Sequence, residues 1–246
     1  MNRQDGFLSF SDTHCEPSQR LPPAAYVVAR KARELRVPLI LNGDILDLAL
    51  WGKDAYQASP AVKDIIGWAY LQDVHFVVGN HEGLIGWVRE LFRDSDVHVV
   101  KCWDCRVNGV LWHAEHGDQY SLDWGHFKWL FLGLAEVMLR LSPKAWLRFC
   151  KRWRPGPIKP PPGTESERYN VLTGTIWHNA MADALRRDAD VTIGHTHTTI
   201  SDKYSWAEGM ILDGGDCRDG SYVSVGPDGI GSIGWTTAPT LKGRIP

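Results

Sequence analysis

The sequence predicts an α/β fold, and three observations carry that prediction. Short apolar runs of strand type recur along the chain, at Phe7-Leu8-Ser9-Phe10, Val37-Pro38-Leu39-Ile40-Leu41, His75-Phe76-Val77-Val78 and Asp190-Val191-Thr192-Ile193. Between the first two lies a helical pattern, with Val28, Ala32 and Leu35 on one face and Arg30, Lys31, Arg33 and Glu34 elsewhere. Strand, helix and strand in that order form a βαβ unit, so parallel pairing is expected. Each run also ends in a break followed by Asp, Asn or His, the position at which open α/β sheets carry their ligands.

The chain has 246 residues, enough for one large α/β domain carrying an insertion, and the expectation is a single domain over 1–246. Its formal charge of −2 gives no overall sign of a nucleic-acid partner. Five scattered cysteines do not make a disulfide framework. Cys102-Trp103-Asp104-Cys105 has zinc-knuckle spacing without a second pair and reads more simply as part of a hairpin. The polar start Met1-Asn2-Arg3-Gln4-Asp5 leads into a strand, so no secretory signal is expected and a cytoplasmic location is. No segment reaches the ~20 apolar residues of a membrane span.

Taken in order, the first strand ends in Ser11-Asp12-Thr13-His14. Residues two apart in extended chain project to one side, so Asp12 and His14 can reach one cation, although an Asx-turn with a surface histidine fits equally. The second strand ends in Asn42-Gly43-Asp44-Ile45-Leu46-Asp47. Gly43 lets the backbone turn as it leaves the sheet, and Asp44 has two oxygens able to join two cations. Residues 48–59 read as loop, and Pro60 opens a helix with Val62, Ile65, Ile66 and Ala69 on one stripe. The third strand ends in Gly79-Asn80-His81-Glu82, where Asn80 offers a neutral oxygen and Glu82 is placed to orient the His81 imidazole. Strands around 97–101 and 109–113 lead to Glu115-His116-Gly117-Asp118, with His113 read as a core or supporting histidine. The strand at 190–193 ends in Gly194-His195-Thr196-His197. Beyond it, Met210-Ile211-Leu212 and Tyr222-Val223-Ser224-Val225 close a second sheet, with Asp213, Asp216 and Asp219 as turn residues.

The candidates thus number seven: Asp12, His14, Asp44, Asn80, His116, His195 and His197. Oxygen and imidazole donors without thiolate suit manganese, iron or zinc better than calcium or a structural zinc. Asp-x-His, Gly-Asp-x-x-Asp, Gly-Asn-His-Glu, a lone His and Gly-His-x-His, in this order over residues 12–197, resemble the calcineurin-like metallophosphoesterases. The resemblance implies a four-layer αββα sandwich with two divalent ions, Mn2+ first among them, at the strand ends. It implies that Asp12, His14, Asp44 and His197 hold one ion, that Asp44, Asn80, His116 and His195 hold the other, and that Asp44 bridges. It further makes His81 the catalytic histidine, with Glu82 orienting it and Asp47 holding a ligand imidazole.

Residues 121–168 form an insertion with nine Lys and Arg against four Asp and Glu. An apolar stretch from Trp129 to Leu141 is followed by Ser142-Pro143, then by a basic amphipathic helix with Trp146, Phe149, Cys150 and Trp153 on one stripe and Arg148 among the basic residues. Either a lid that admits an amphipathic anion, with peripheral membrane contact, or an ordinary packed helical hairpin fits this pattern. Its position after His116-Gly117-Asp118 resembles the UDP-2,3-diacylglucosamine hydrolases. That likeness makes Asp123, Trp146 and Arg148 candidate substrate contacts and a small phosphate ester or diphosphate the expected partner. His81-Glu82 stands where those enzymes have Arg-Asp, and Thr198-Thr199 where they have a basic residue and proline. A nuclease or cyclic-nucleotide phosphodiesterase of the same superfamily is the alternative, but outside the insertion there is no aromatic and basic interleaving of a nucleic-acid groove. A non-catalytic scaffold would have lost ligands, and all seven are present.

Overall fold

The computed structural model describes residues 3–120, 128–142, 145–146, 148–149, 167–196, 199–203 and 210–236. In chain order the strands are β1 (Arg3–Gln4), β2 (Phe7–Phe10), β3 (Leu39–Asn42), β4 (Val74–Val77), β5 (His98–Val100), β6 (Trp103–Val107), β7 (Val110–Ala114), β8 (Asp190–Ile193), β9 (Thr199–Lys203), β10 (Met210–Gly214), β11 (Ser221–Val225) and β12 (Gly231–Trp235). The helices are α1 (Pro23–Leu35), α2 (Leu48–Trp51), α3 (Pro60–Ala69), α4 (Ile85–Leu91), α5 (Lys128–Leu141) and α6 (Glu167–Arg187). They build two six-stranded sheets, ordered β12-β11-β2-β3-β4-β5 and β1-β6-β7-β8-β10-β9. In the first sheet β2 to β5 are parallel, and β11 and β12 close it antiparallel.

Side-chain alternation explains the layering. Phe7, Ile40 and Val77 turn inward and meet Trp103, Cys105, Trp112, Ala114 and Leu212 of the other sheet. The alternate residues Leu8, Phe10, Leu39, Leu41 and Phe76 turn outward and are covered by α1, α3 and α4. On the far side α6 lays Ile176, Ala180 and Ala184 over Val191, Ile193 and Ile211. The result is the four-layer αββα sandwich, with every parallel strand of the first sheet ending at one edge.

Three expectations change. Leu35 is 56% exposed: it is the last residue of α1, and Arg36 at φ 57° turns the chain away. The face that packs is Ala24, Ala25, Val28, Ala29 and Ala32. The segment 48–59 is no plain loop, since α2 and a 3-10 turn at Lys53–Tyr56 fill it. Asp213 is no turn residue but lies within β10, fully buried. Among the described residues no helix is long and apolar enough to cross a membrane.

Candidate metal centre

The ends of β2 and β3 are laced together by their own backbones. Asp12 N–H donates to Gly43 O (3.1 Å), His14 N–H to Asp44 O (2.9 Å) and Cys15 N–H to Ile45 O (2.9 Å). Asp12, His14, Asp44 and His195 all have positive φ, between 45° and 70°. Left-handed backbone is disfavoured for side chains with a Cβ, so its recurrence at these candidate ligands marks a constrained site. Glycine is needed where loops touch: a Cβ on Gly79 would stand 2.4 Å from Asp44 Oδ1, and one on Gly43 2.5 Å from the His116 ring.

These constraints bring Asp44 to the centre of two donor groups. Ligand atoms of Asp12, His14 and Asp44 lie within 4.8 Å of one another, and so do those of Asp44, His116 and His195. Asp12, Asp44 and His116 are buried. His116 Nδ1 donates to Asn42 O at 2.9 Å, and Nε2 faces Asp44 Oδ2 at 3.2 Å, out of line for a hydrogen bond. Asn80 Oδ1 is likewise buried and accepts no hydrogen bond. A buried amide oxygen and a buried imidazole nitrogen, neither with a hydrogen bond, fit a cation.

Electrostatics agree with that arrangement. Burial pushes Asp44 up, yet His116, His81 and His14 hold it well below the usual carboxylate range. Burial likewise opposes the charge on Asp47, but hydrogen bonds from His14 and His81 bring it down to about 2. His81 is held up at about 9 against burial by Asp44 and Asp47. His195 is pushed down to about 4 by burial and by His116.

Glu82 does not orient His81. Its Oε1 accepts the amides of Ile45 (2.7 Å) and Leu46 (2.9 Å), and its Oε2 those of Asp44 (2.9 Å) and Gly79 (2.8 Å). The side chain is consumed by four backbone donors and clamps the Asp44 loop to the Asn80 loop. Burial and the Asp44 charge still push it up to about 7. Asp47 orients His81 instead, with Oδ1 2.5 Å from His81 Nδ1 and 3.2 Å from His14 Nδ1.

Two supporting residues were not anticipated. The buried Tyr56 hydroxyl donates to Cys15 O (2.5 Å) and accepts from Asp47 N–H (3.0 Å). Asp213 accepts from the Thr196 hydroxyl and from Gly215 N–H (2.8 Å), bracing the His195 turn. The signal for Asp213 was present, since Met210-Ile211-Leu212-Asp213 is another apolar run ending in Asp. His197 and Asp123 lie outside the described residues. Trp146 is fully buried, and its indole N–H donates to Ala49 O (3.1 Å), so it anchors against α2 rather than facing a substrate. Phe149 stacks on it at 5.7 Å, and Arg148 is exposed.

Fold and site together define a two-sheet α/β sandwich that gathers carboxylates and imidazoles at one strand edge. No protein-family model matches the chain, and no curated protein is similar to it at a significant level. Solved structures align with nearly all of it at low identity. A predicted phosphoesterase from Streptococcus pneumoniae is 10% identical, with 95% of this chain and 98% of that chain covered and a TM-score of 0.43. Vps29 from Entamoeba histolytica, complexed with zinc, is 13% identical over 94% and 98%, with a TM-score of 0.44. The phosphopantetheinyl hydrolase of Mycobacterium tuberculosis is 15% identical over 87% and 91%, with a TM-score of 0.40.

Proposed function

We propose that this protein is a metal-dependent hydrolase of phosphate ester or anhydride bonds, with two divalent cations bridged by Asp44. One observation carries the reading: the buried Asp44 carboxylate belongs at once to the Asp12–His14 donor group and to the His116–His195 group. His197 is proposed to complete the first group and Asn80 the second. The donor set of oxygens and imidazoles suits Mn2+, Fe or Zn2+, and Mn2+ is proposed first. Held by these residues, divalent ions would supply the charge that acidifies a water and neutralises phosphoryl oxygens.

The chain's own groups do the rest. Asn42 O takes the Nδ1 hydrogen of His116, and Asp47 takes that of His14, so both rings turn Nε2 to the centre. His81 is half-exposed at the rim, with Nε2 3.9 Å from Asp44 Oδ2. Held protonated by Asp44 and Asp47, it donates a hydrogen bond to the phosphoryl group or a proton to the leaving oxygen. The test is a panel of aryl phosphate mono- and diesters, nucleotides and lipid-linked diphosphates offered to the manganese-loaded protein. Hydrolysis of at least one class, lost on chelation, is expected; stoichiometric metal with no turnover of any class would overturn the reading.

One observation favours an amphipathic substrate. Leu134, Val137 and Leu141 of α5 are 46%, 53% and 77% exposed and share one side of a helix that packs on α2, just beyond Asp47. We therefore propose that a diphosphate bearing an acyl or other apolar part, in the manner of UDP-2,3-diacylglucosamine, is drawn to the centre along this helix from a membrane surface.

A further inference from the structure

The hairpin of β6 and β7 carries a second group of metal-type donors on its outer face. Asp104 lies directly opposite His113 in the antiparallel register, and Glu115, two residues beyond His113, projects to the same side. The last turns of α6 bring Asp183 over them. Donor atoms of His113, Glu115 and Asp183 all lie within 4.8 Å of one another. Unlike a surface acidic cluster, this one is covered: His113 is 0% and Asp183 6% exposed.

The imidazole points into the group. Asp104 Oδ1 is 2.5 Å from His113 Nδ1, so Nδ1 carries the hydrogen and Nε2 faces the two carboxylates. Nε2 stands 3.3 Å from Glu115 Oε2, yet out of line for a hydrogen bond, and it has no other partner. A carboxylate behind one ring nitrogen and open coordination at the other is the arrangement by which proteins aim histidine at a metal. The Tyr120 hydroxyl touches both Glu115 and Asp183. A cleft of about 420 Å³, bounded by Tyr120, Asn179, Arg186 and Arg187, opens the group to solvent.

We infer that His113 Nε2, Glu115 and Asp183 form a binding site for one divalent cation of the Zn2+ class, distinct from the Asp44 centre and aligned by Asp104. One imidazole and two carboxylates are a set that Zn2+ accepts. Arg186 and Arg187 pair with Asp183 at 2.6 and 2.5 Å from the solvent side, 74% and 43% exposed, so they are free to swing out when an ion enters. The ion would tie α6 to β7 one residue before His116.

The test counts zinc. Wild-type protein and the Asp183→Asn, His113→Ala and Asp104→Asn variants are equilibrated with Zn2+ against a competing chelator and analysed for bound metal. Wild type is expected to hold one ion more than Asp183→Asn and His113→Ala, and Asp104→Asn should hold that ion roughly 10–100-fold more weakly. The difference is independent of how many ions the Asp44 centre takes, so the phosphoesterase reading can fail without touching it. In a background of Asp44→Asn, Co2+ should still give a d–d absorption band that Asp183→Asn abolishes, a readout that needs only soluble, folded protein by circular dichroism. Equal zinc counts in wild type and both ligand variants, or no Co2+ band in the Asp44→Asn protein, would overturn the inference.

Discussion

Asp47 Oδ1 sits 2.5 Å from His81 Nδ1 and 3.2 Å from His14 Nδ1, so one carboxylate aligns both a proposed metal ligand and the proposed proton donor. The two rings stand edge to face, 4.4 Å apart, with Asp47 beneath them. Binding and proton transfer at this end of the site therefore share a single anchor.

Asp47→Asn should disturb both roles. Metal affinity at the Asp12–His14 group and turnover should each fall by about 10–100-fold, the usual effect of losing such a partner. Metal analysis beside kcat measures this; a loss of kcat alone would mean that His14 is held by other contacts.

In the metal-free protein the Asp47–His81 pair also sets a pH window. The depressed Asp47 pKa contributes stability that is lost as pH falls through about 2, and the raised His81 pKa contributes stability that is lost as pH rises through about 9. Thermal midpoints of the metal-free wild type should decline between about pH 6.5 and pH 9 and level off above that. In Asp47→Asn that decline should shrink and move to lower pH.

His81→Ala separates chemistry from binding. No metal-ligand role is proposed for this side chain, so bound metal should be unchanged while kcat drops roughly 10²–10⁴-fold. Loss of metal along with activity would put His81 among the ligands.

Asp44→Asn should weaken both ions together, because an amide cannot supply the bridging charge. Equilibrium dialysis against Mn2+ reads this directly. Two ions bound with wild-type affinity would remove Asp44 from the centre.

Glu82→Gln tests the clamp. Replacing one carboxylate oxygen with an amide nitrogen leaves two of the four backbone N–H groups facing a donor, at about 1–3 kcal/mol each. Urea unfolding should show a loss of at least ~2 kcal/mol, whereas an orienting role for His81 would lower kcat and leave stability alone.

The proposed strand-end ligands were legible because the features that place them are local. An apolar run, a glycine and a polar residue suffice to put Asp44 or Asn80 at a sheet edge, and alternation sorts Phe7 and Ile40 from Leu8 and Leu41. What was not legible depends on where a side chain turns after the strand ends. Glu82 neighbours His81 in sequence, but the turn at Gly83, with φ 72°, accompanies its descent into the amides of another loop. Trp146 carried an amphipathic pattern that says a face is buried without saying against what, and α2 proved to be the partner. The edge strands β9 and β12 are polar or glycine-rich and give no hydrophobic period, whereas β7 was anticipated around 109–113 and the Asn108-Gly109 turn before it is a local signal that would also have placed the bounds of β6.

The backbone lacing between the β2 and β3 exits has a kinetic consequence. Its hydrogen bonds run from amide to carbonyl and use none of the donor atoms proposed for the ions. Folding can therefore complete the left-handed turns at Asp12, His14 and Asp44 before any ion arrives, and loading becomes a late step limited by shedding of water from the incoming cation. With the proposed centre loaded last, such a chain would exchange one ion for another without unfolding.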